Sequence, residues 1–245
     1  MDDESDGTDG TDGTDATDAA DTGNEATAGH ASGSRPGSRP HPDADPEVAV
    51  LRLGHRPGRD DRMTTHVGLT ARALGADRVL FPDNAGQSLE TVTDITDRFG
   101  GPFEVELTDS PTAVIRNWEG RVVHLTMYGE RVQDVESEIR DAYDTAGEPL
   151  LLVVGSEKVS FDVYERADWN VGVTNQPHSE VAGLAVFLDR LFEGRELEAD
   201  WEEAKRRVIP METGKRVEPT GEGKEEETDT DADMDTDADT EERNQ

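Results

Sequence analysis

The middle of this sequence predicts an α/β fold with a largely parallel central sheet flanked by helices, set between two disordered acidic termini. Three observations carry that reading. Short apolar, partly β-branched runs alternate with stretches whose apolar residues recur at helical spacing, the order expected of successive β-α-β units. The apolar runs give way to small or polar residues, which is how a buried strand enters a loop. Both ends lack apolar periodicity and consist mainly of Asp, Glu, Thr, Gly and Ala with scattered Ser and Pro.

Val48 to Leu53 (VAVLRL) opens the alternation as a strand, broken by Gly54. Thr64 and Thr65 are N-cap candidates for a helix through Leu74, closed by Gly75, and Arg78 to Phe81 is the next strand. Ser88 can cap a helix carrying Leu89, Val92, Ile95 and Phe99 on one face, and FEVEL at 103–107 alternates as a strand. Val122 to Thr126 and Leu150 to Val154 are buried strands, with a helix between them bearing Val132, Val135 and Ile139. Trp169 to Val173 is the last predicted strand. The helix that follows, Ser179 to Phe192, gathers Val181, Leu184, Leu188 and Leu191 on one face. Ligands of open parallel sheets sit beyond the carboxyl ends of strands, so the loops after Thr126, Val154 and Val173 are the candidate site.

The predicted boundaries are a disordered arm over residues 1–46, a folded domain over 47–212 and a disordered tail over 213–245. The arms hold too few apolar side chains to offset the entropy cost of ordering, and their like charges repel one another. The formal charge is -33. Residues 47–212 alone hold 32 acidic and 18 basic side chains, so the bias is not confined to the ends. Lysine supplies four of the 24 basic residues, a composition associated with salt-loading archaea. Cysteine is absent, which removes disulfides, thiolate metal sites and cysteine nucleophiles. With no signal-like start and no apolar stretch near the roughly 20 residues that span a bilayer, a cytoplasmic protein with no membrane partner is expected.

Three clusters could carry chemistry. The first, RLGHRPGRDDRMTTHVGLTAR, concentrates Arg52, His55, Arg56, Arg59, Arg62, His66 and Arg72 within an acidic chain. Guanidinium forks suit phosphate oxygens, so nucleic acid is one reading; a surface of arginines paired with Asp60 and Asp61 is the other, and composition does not separate them. The second, LLVVGSEKV, follows a strand with a glycine that lets a ligand approach the backbone. In the third, NVGVTNQPHSEVAGLA, a strand runs through a polar loop into a helix whose first turn offers free N–H groups, with Ser179 as N-cap on the plainer reading. No HExxH, phosphate-loop, GxGxxG or GxSxG pattern is present, which disfavours a metal enzyme, a Rossmann cofactor and a serine hydrolase.

Taken in order, the three clusters resemble the SPOUT class of methyltransferases. HVGLTAR (His66 to Arg72) resembles the first motif of the ribose-methylating branch, with His66 in place of the usual asparagine. GSEKV (Gly155 to Val159) resembles the second, with Lys158 in place of a glycine, and TNQPHSEVAGLA resembles the third. With RLGHRPxRDxRxTTH upstream and VVHLTMYG at 122–129, they are similar to the archaeal tRNA cytidine(56) 2′-O-methyltransferases over about residues 48 to 195. That resemblance implies a deep trefoil knot, a homodimer, tRNA as partner, no metal, and S-adenosylmethionine as methyl donor. It implies a donor site lined by Leu125, Thr126 and Met127, by Gly155, Ser156, Glu157, Lys158 and Val159, and by Val173, Thr174, Asn175, Gln176, Pro177, His178, Ser179 and Glu180. It implies Arg72 as the catalytic arginine, with an RNA phosphate, water or His66 to accept the proton; on the phosphate reading of the first cluster, Arg52, His55, Arg56, Arg59 and Arg62 would meet the RNA. A guanidinium stays protonated, so Arg72 would orient a phosphate and stabilise charge on the 2′-oxygen rather than take its proton. Two other functions fit the same residues: a related methyltransferase acting elsewhere in RNA, or a non-catalytic RNA-binding dimer. The acidic arms as a decoy for basic partners are a third.

Molar salt shrinks the Debye length to about 3 Å, which screens repulsion that would strain this chain in dilute buffer. Far-UV circular dichroism should show loss of structure as KCl is lowered from molar to millimolar; a spectrum that does not change would show that the acidic composition imposes no salt requirement.

Overall fold

A computed structural model describes residues 46–155 and 158–221. The predicted arm over 1–46 lies outside the described residues except for its last position, as do Ser156, Glu157 and residues 222–245 of the predicted tail.

Six strands form one sheet: β1 (Val48–Arg52), β2 (Arg78–Pro82), β3 (Glu104–Thr108), β4 (Arg121–Arg131), β5 (Leu150–Val154) and β6 (Trp169–Gly172). Their order is β3-β2-β1-β5-β4-β6, and every pairing in it is parallel. The connecting helices are α1 (Asp61–Ala73), α2 (Gly86–Phe99), α3 (Pro111–Asn117), α4 (Val132–Arg140), α5 (Phe161–Arg166) and α6 (Glu180–Phe192). Helices α1, α2, α4 and α6 pack together over one face of the sheet, and α3 and α5 cover the other.

Burial on both faces explains why the central strands read as unbroken apolar runs. In β1, Val48 and Val50 enter the larger core under α1 and α6, while Ala49 and Leu51 enter the smaller core under α3 and α5. β5 divides likewise, Leu150, Leu152 and Val154 against Leu151 and Val153. Each of these side chains is at most 1 % exposed, so at about 25 cal/mol per Å² of apolar area their burial is the main force holding the sheet centre.

The predicted strands and long helices are present, but their starts move. α1 begins at Asp61 after an Asp60 N-cap, so Thr64 and Thr65 lie inside the helix and cap nothing. α2 begins at Gly86, and Ser88 is buried in its first turn, donating to the Asp61 carbonyl at 3.2 Å and accepting from Thr65 at 3.0 Å. Both hydroxyls join α1 to α2 instead of satisfying their own helix ends. Ser179 does occupy the N-cap position of α6 but makes no side-chain cap bond. Two short helices, α3 and α5, were too brief for a periodic signal. The boundary at 212 also moves: Arg206–Ile209 (β7) pairs antiparallel with Arg216–Pro219 (β8), so the first residues assigned to the tail form a hairpin.

β4 positions everything that follows. Leu125 and Glu130 both stand opposite Val171 of β6, and residues 126–129 between them are extruded as a loop. Gly129 is required there by close approach. A Cβ added to it would stand 2.5 Å from the Val171 nitrogen and nearer still to the Asn170 carbonyl oxygen, closer than real Cβ atoms come.

Candidate functional site

The bulge of β4 at residues 126–129 and the loops after β5 and β6 lie at the same end of the sheet, since the three strands are parallel neighbours. Asn175, in the loop after β6, reaches back and donates from Nδ2 to the carbonyls of Met127 and Gly129, both at 2.9 Å. One amide thus ties the third predicted motif to the loop extruded from β4. Gln176, Pro177 and His178 are exposed beyond it, and His178 lies over Gly183 of α6, its Nδ1 2.9 Å from the Ser179 carbonyl. Thr126 shares a hydrogen bond of 3.1 Å with the Tyr164 hydroxyl of α5. In the loop after β5, Lys158 is exposed and Val159 packs on the smaller core. Ser156 and Glu157 lie outside the described residues.

Arg52, at the end of β1, is buried at the junction of these loops. Its guanidinium donates to the Gly155 carbonyl and stands 3.6 Å from the Glu180 carboxylate at the start of α6. Burial pulls its pKa down and Glu180 pulls it back up. Arg52, expected to meet RNA, is placed inside the fold, where it joins the second and third motifs. His55, the next residue expected to meet RNA, is likewise enclosed: its side chain is 2 % exposed, with Nδ1 2.9 Å from the Thr64 hydroxyl and Nε2 3.1 Å from the Asp61 carboxylate. Arg56 grips Asp60 through two guanidinium bonds of 2.8 Å and a backbone N–H of 3.0 Å. Those bonds hold the Asp60 carboxyl down at about 2, so the cap of α1 keeps its charge until strong acid. Arg59 and Arg62 are exposed around the first turn of α1.

Arg72 is elsewhere. It sits in the last turn of α1, just before the turn into β2 in which the Asp77 backbone N–H donates to the carbonyl of Val48, the first residue of β1. That is the amino edge of the sheet, opposite the motif loops. There its guanidinium lies 4.4 Å over the Trp201 ring and donates to the Gly100 carbonyl, buried. The chain leaves the helix beside it through Gly75, whose φ of 90° suits a residue without a Cβ. The structure thus places the arginine expected to be catalytic at the corner that joins α1, α2 and the segment after α6, away from the motif loops. His66 is exposed halfway along α1, on a shallow groove of about 300 Å³ lined otherwise by Leu69, Thr70, Ala73, Leu74, Val181 and Ala185.

Three residues near the site were not singled out in the sequence. Tyr128, 75 % exposed, stands in the loop extruded from β4, and Phe161, 73 % exposed, stacks beside Tyr164. His124 is fully buried in β4, edge-on to Tyr164. Asn170 uses its Nδ2 on the Tyr164 carbonyl, so its Oδ1 accepts from His124 Nδ1–H, which leaves Nε2 unprotonated and without a partner among the described residues. Burial lowers the His124 pKa, partly opposed by Asn170. The exposed aromatic in TMYG was the one legible signal among the three. No group of three metal-ligating side chains is found among the described residues.

A protein-family comparison matches residues 99–218 to the model of the tRNA ribose 2′-O-methyltransferase, aTrm56. A tRNA (cytidine(56)-2′-O)-methyltransferase of Natronomonas pharaonis is 73% identical over 176 residues, which cover 72% of this chain and 97% of that protein. This chain belongs to the tRNA (cytidine(56)-2′-O)-methyltransferase family. The family's member from Halobacterium salinarum is 72% identical over 73% of this chain and 92% of its own length, and the one from Thermococcus kodakarensis is 52% identical over 69% and 96%. The first of these organisms' proteins and the second come from halophiles, in keeping with the acidic composition. Among solved structures, an RNA 2′-O ribose methyltransferase aligns with a TM-score of 0.44 at 18% identity, covering 67% of this chain and 61% of that one.

Within this family member, Arg72→Ala should lower stability by about 2 kcal/mol through the lost stacking and the orphaned carbonyl, with kcat of the folded enzyme unchanged. Thermal melting combined with turnover at saturating substrates checks it; intact stability with abolished turnover would return Arg72 to the chemistry. For His124, the folded value lies below the unfolded value of about 6.5, so the unfolded chain takes up the proton first and stability present above that pH is lost as pH falls through it. Melting temperatures of the wild type measured from pH 8 downward should fall more steeply below about 6.5 than those of His124→Asn; parallel curves would show that His124 is not held neutral by the fold.

Proposed function

We propose that the chain transfers a methyl group from S-adenosylmethionine to the ribose 2′-oxygen of cytidine 56 in tRNA, with the donor held by the bulge of β4 and the loops after β5 and β6. The observation that carries this reading is the Asn175 clamp, which brings TNQPHSE onto the backbone of residues 127 and 129. Its support is the name shared by relatives that are 70% or more identical over nearly their full length.

The residues present fit the nucleoside part of the donor, whose adenine and ribose carry no charge. At Gly129 the backbone of the β4 bulge lies directly against the backbone of Asn170 and Val171, so this wall of the site is main chain. When bound, S-adenosylmethionine supplies an electrophilic methyl on a sulfonium. Leu125, Thr126 and Met127, Gly155 to Val159, and Val173 to Glu180 would hold it. Their task is alignment, since near-attack geometry can contribute about 7 to 11 kcal/mol without an ionised catalyst.

Arg59 and Arg62, exposed where α1 begins at the carboxyl end of the sheet, are assigned to the RNA phosphates. Tyr128 offers a face on which an unstacked base can lie. Arg72 has no place in this arrangement. The groove along α1 and α6 is assigned to a second copy in a homodimer. That places His66 at the contact and leaves the 2′-proton to water or a phosphate oxygen. The trefoil knot implied by the resemblance belongs to the same proposal.

Radiolabelled methyl should pass from S-adenosylmethionine to an unmodified tRNA transcript in molar KCl, and not to one carrying 2′-deoxycytidine at position 56. Asn175→Ala should weaken donor binding about tenfold, the worth of one to two hydrogen bonds. Label at another nucleotide would sink the target; absence of donor binding by calorimetry would make the chain a non-catalytic RNA binder.

A further inference from the structure

The β7–β8 hairpin lies outside the site just described and carries a charge opposite to the rest of the protein. Residues 205–219 contain five basic and two acidic side chains, in a chain with 24 basic and 57 acidic. Two of the four lysines, Lys205 and Lys215, are here.

The hairpin is anchored at its base. Trp201 lies under the Arg72 guanidinium and against Gly101, the Gly101 N–H donates to the Glu202 carbonyl at 2.9 Å, and the Thr220 N–H closes the base on the Lys205 carbonyl at 3.0 Å. Its two faces differ. Arg207 pairs with Glu218 and Ile209 with Arg216, so these four share one face. On it Ile209 and Glu218 are half-buried, Arg207 is bound to Asp200 at 3.1 Å, and Arg216 is bound to Glu218. Val208 pairs with Val217 on the other face, 59% and 51% exposed, and Arg206 lies two residues before Val208 on the same side. Alternation along β8 puts exposed Lys215 on that side too, two residues before Val217. Arg206 and Lys215 therefore flank the valine pair from opposite ends, four register steps or roughly 13 Å apart along the strand direction.

We propose that this outer face is a second tRNA-contacting surface, with Arg206 and Lys215 on phosphates and the Val208–Val217 pair against the ribose between them. The inference rests on tRNA being the substrate. Charge complementarity identifies the occupant: a polyanion is attracted to this face and repelled by most of the remaining surface. Because molar salt confines attraction to contact range, the cations must touch phosphates directly, and exposed side chains on an anchored ribbon can do so. The surface is at the opposite end of the fold from the motif loops, as its anchor beside Arg72 shows, so it grips a part of the tRNA distant from the reacting ribose.

The test compares full-length wild type with R206Q/K215Q and with K215Q alone, measuring tRNA binding and methylation across a KCl series that includes molar salt. For the double variant, KM for tRNA should rise about fivefold with kcat and donor affinity unchanged, and the slope of log K against log salt should shallow by about 1.5; K215Q alone should shallow it by about 0.8. Melting temperature reports whether the double variant folds, and K215Q decides if it does not. Unchanged KM and salt slope, in variants whose wild type methylates tRNA, would overturn this surface and leave the activity standing. A wild type that neither binds nor methylates tRNA would take down both. A variant that sediments as a smaller species with tRNA binding intact would assign the face to a second copy and overturn the proposal.

Discussion

The arrangement depends on one close contact, the backbone of Gly129 lying against the backbone of Asn170 and Val171. It forces β4 to release residues 126–129 as a loop and then resume beside the same strand. That loop offers the two carbonyls on which Asn175 closes, and the clamp brings the segment before α6 onto it. A side chain at 129 would separate β4 from β6 and leave the loops without a common wall. The polar network beneath has the same purpose. His124, Asn170, Tyr164 and Thr126 link β4, β6 and α5 in a region where an unmade hydrogen bond is costly, so the loops rest on a floor with a single arrangement.

Charge is distributed with a similar division between interior support and exterior contact. In a chain this acidic, most arginines near the first motif are consumed by the fold. Arg52 spans Gly155 and Glu180, and Arg56 secures the cap of α1. What remains outward is a small set around the first turn of α1 and another on the β7–β8 hairpin. Short-range pairing of this kind suits a host in which long-range attraction to RNA is screened away.

Much of the fold was legible because the sheet is covered on both sides. Continuous apolar runs such as VAVLR and LLLVV have no other place to go, and α6 carries an apolar face too long to be mistaken. The helix starts were not legible, since Thr65 and Ser88 look like caps but spend their hydroxyls between helices, a choice made only when α1 meets α2. The hairpin was missed because its strands are four residues each, exposed, and rich in charged residues rather than alternating apolar ones.

The sequence alone determined the class of sheet, the three motif segments and the family they resemble, because local period and motif order survive without coordinates. Tertiary structure decided which arginines face solvent. Seven basic residues within 21 positions look equivalent along the chain, yet α1 carries its two ends to opposite edges of the sheet, so Arg62 is exposed in its first turn while Arg72 is buried against Trp201 in its last. Helix length sets that separation, about 1.5 Å for each residue, and no reading of motif spacing reveals which edge a given residue will reach.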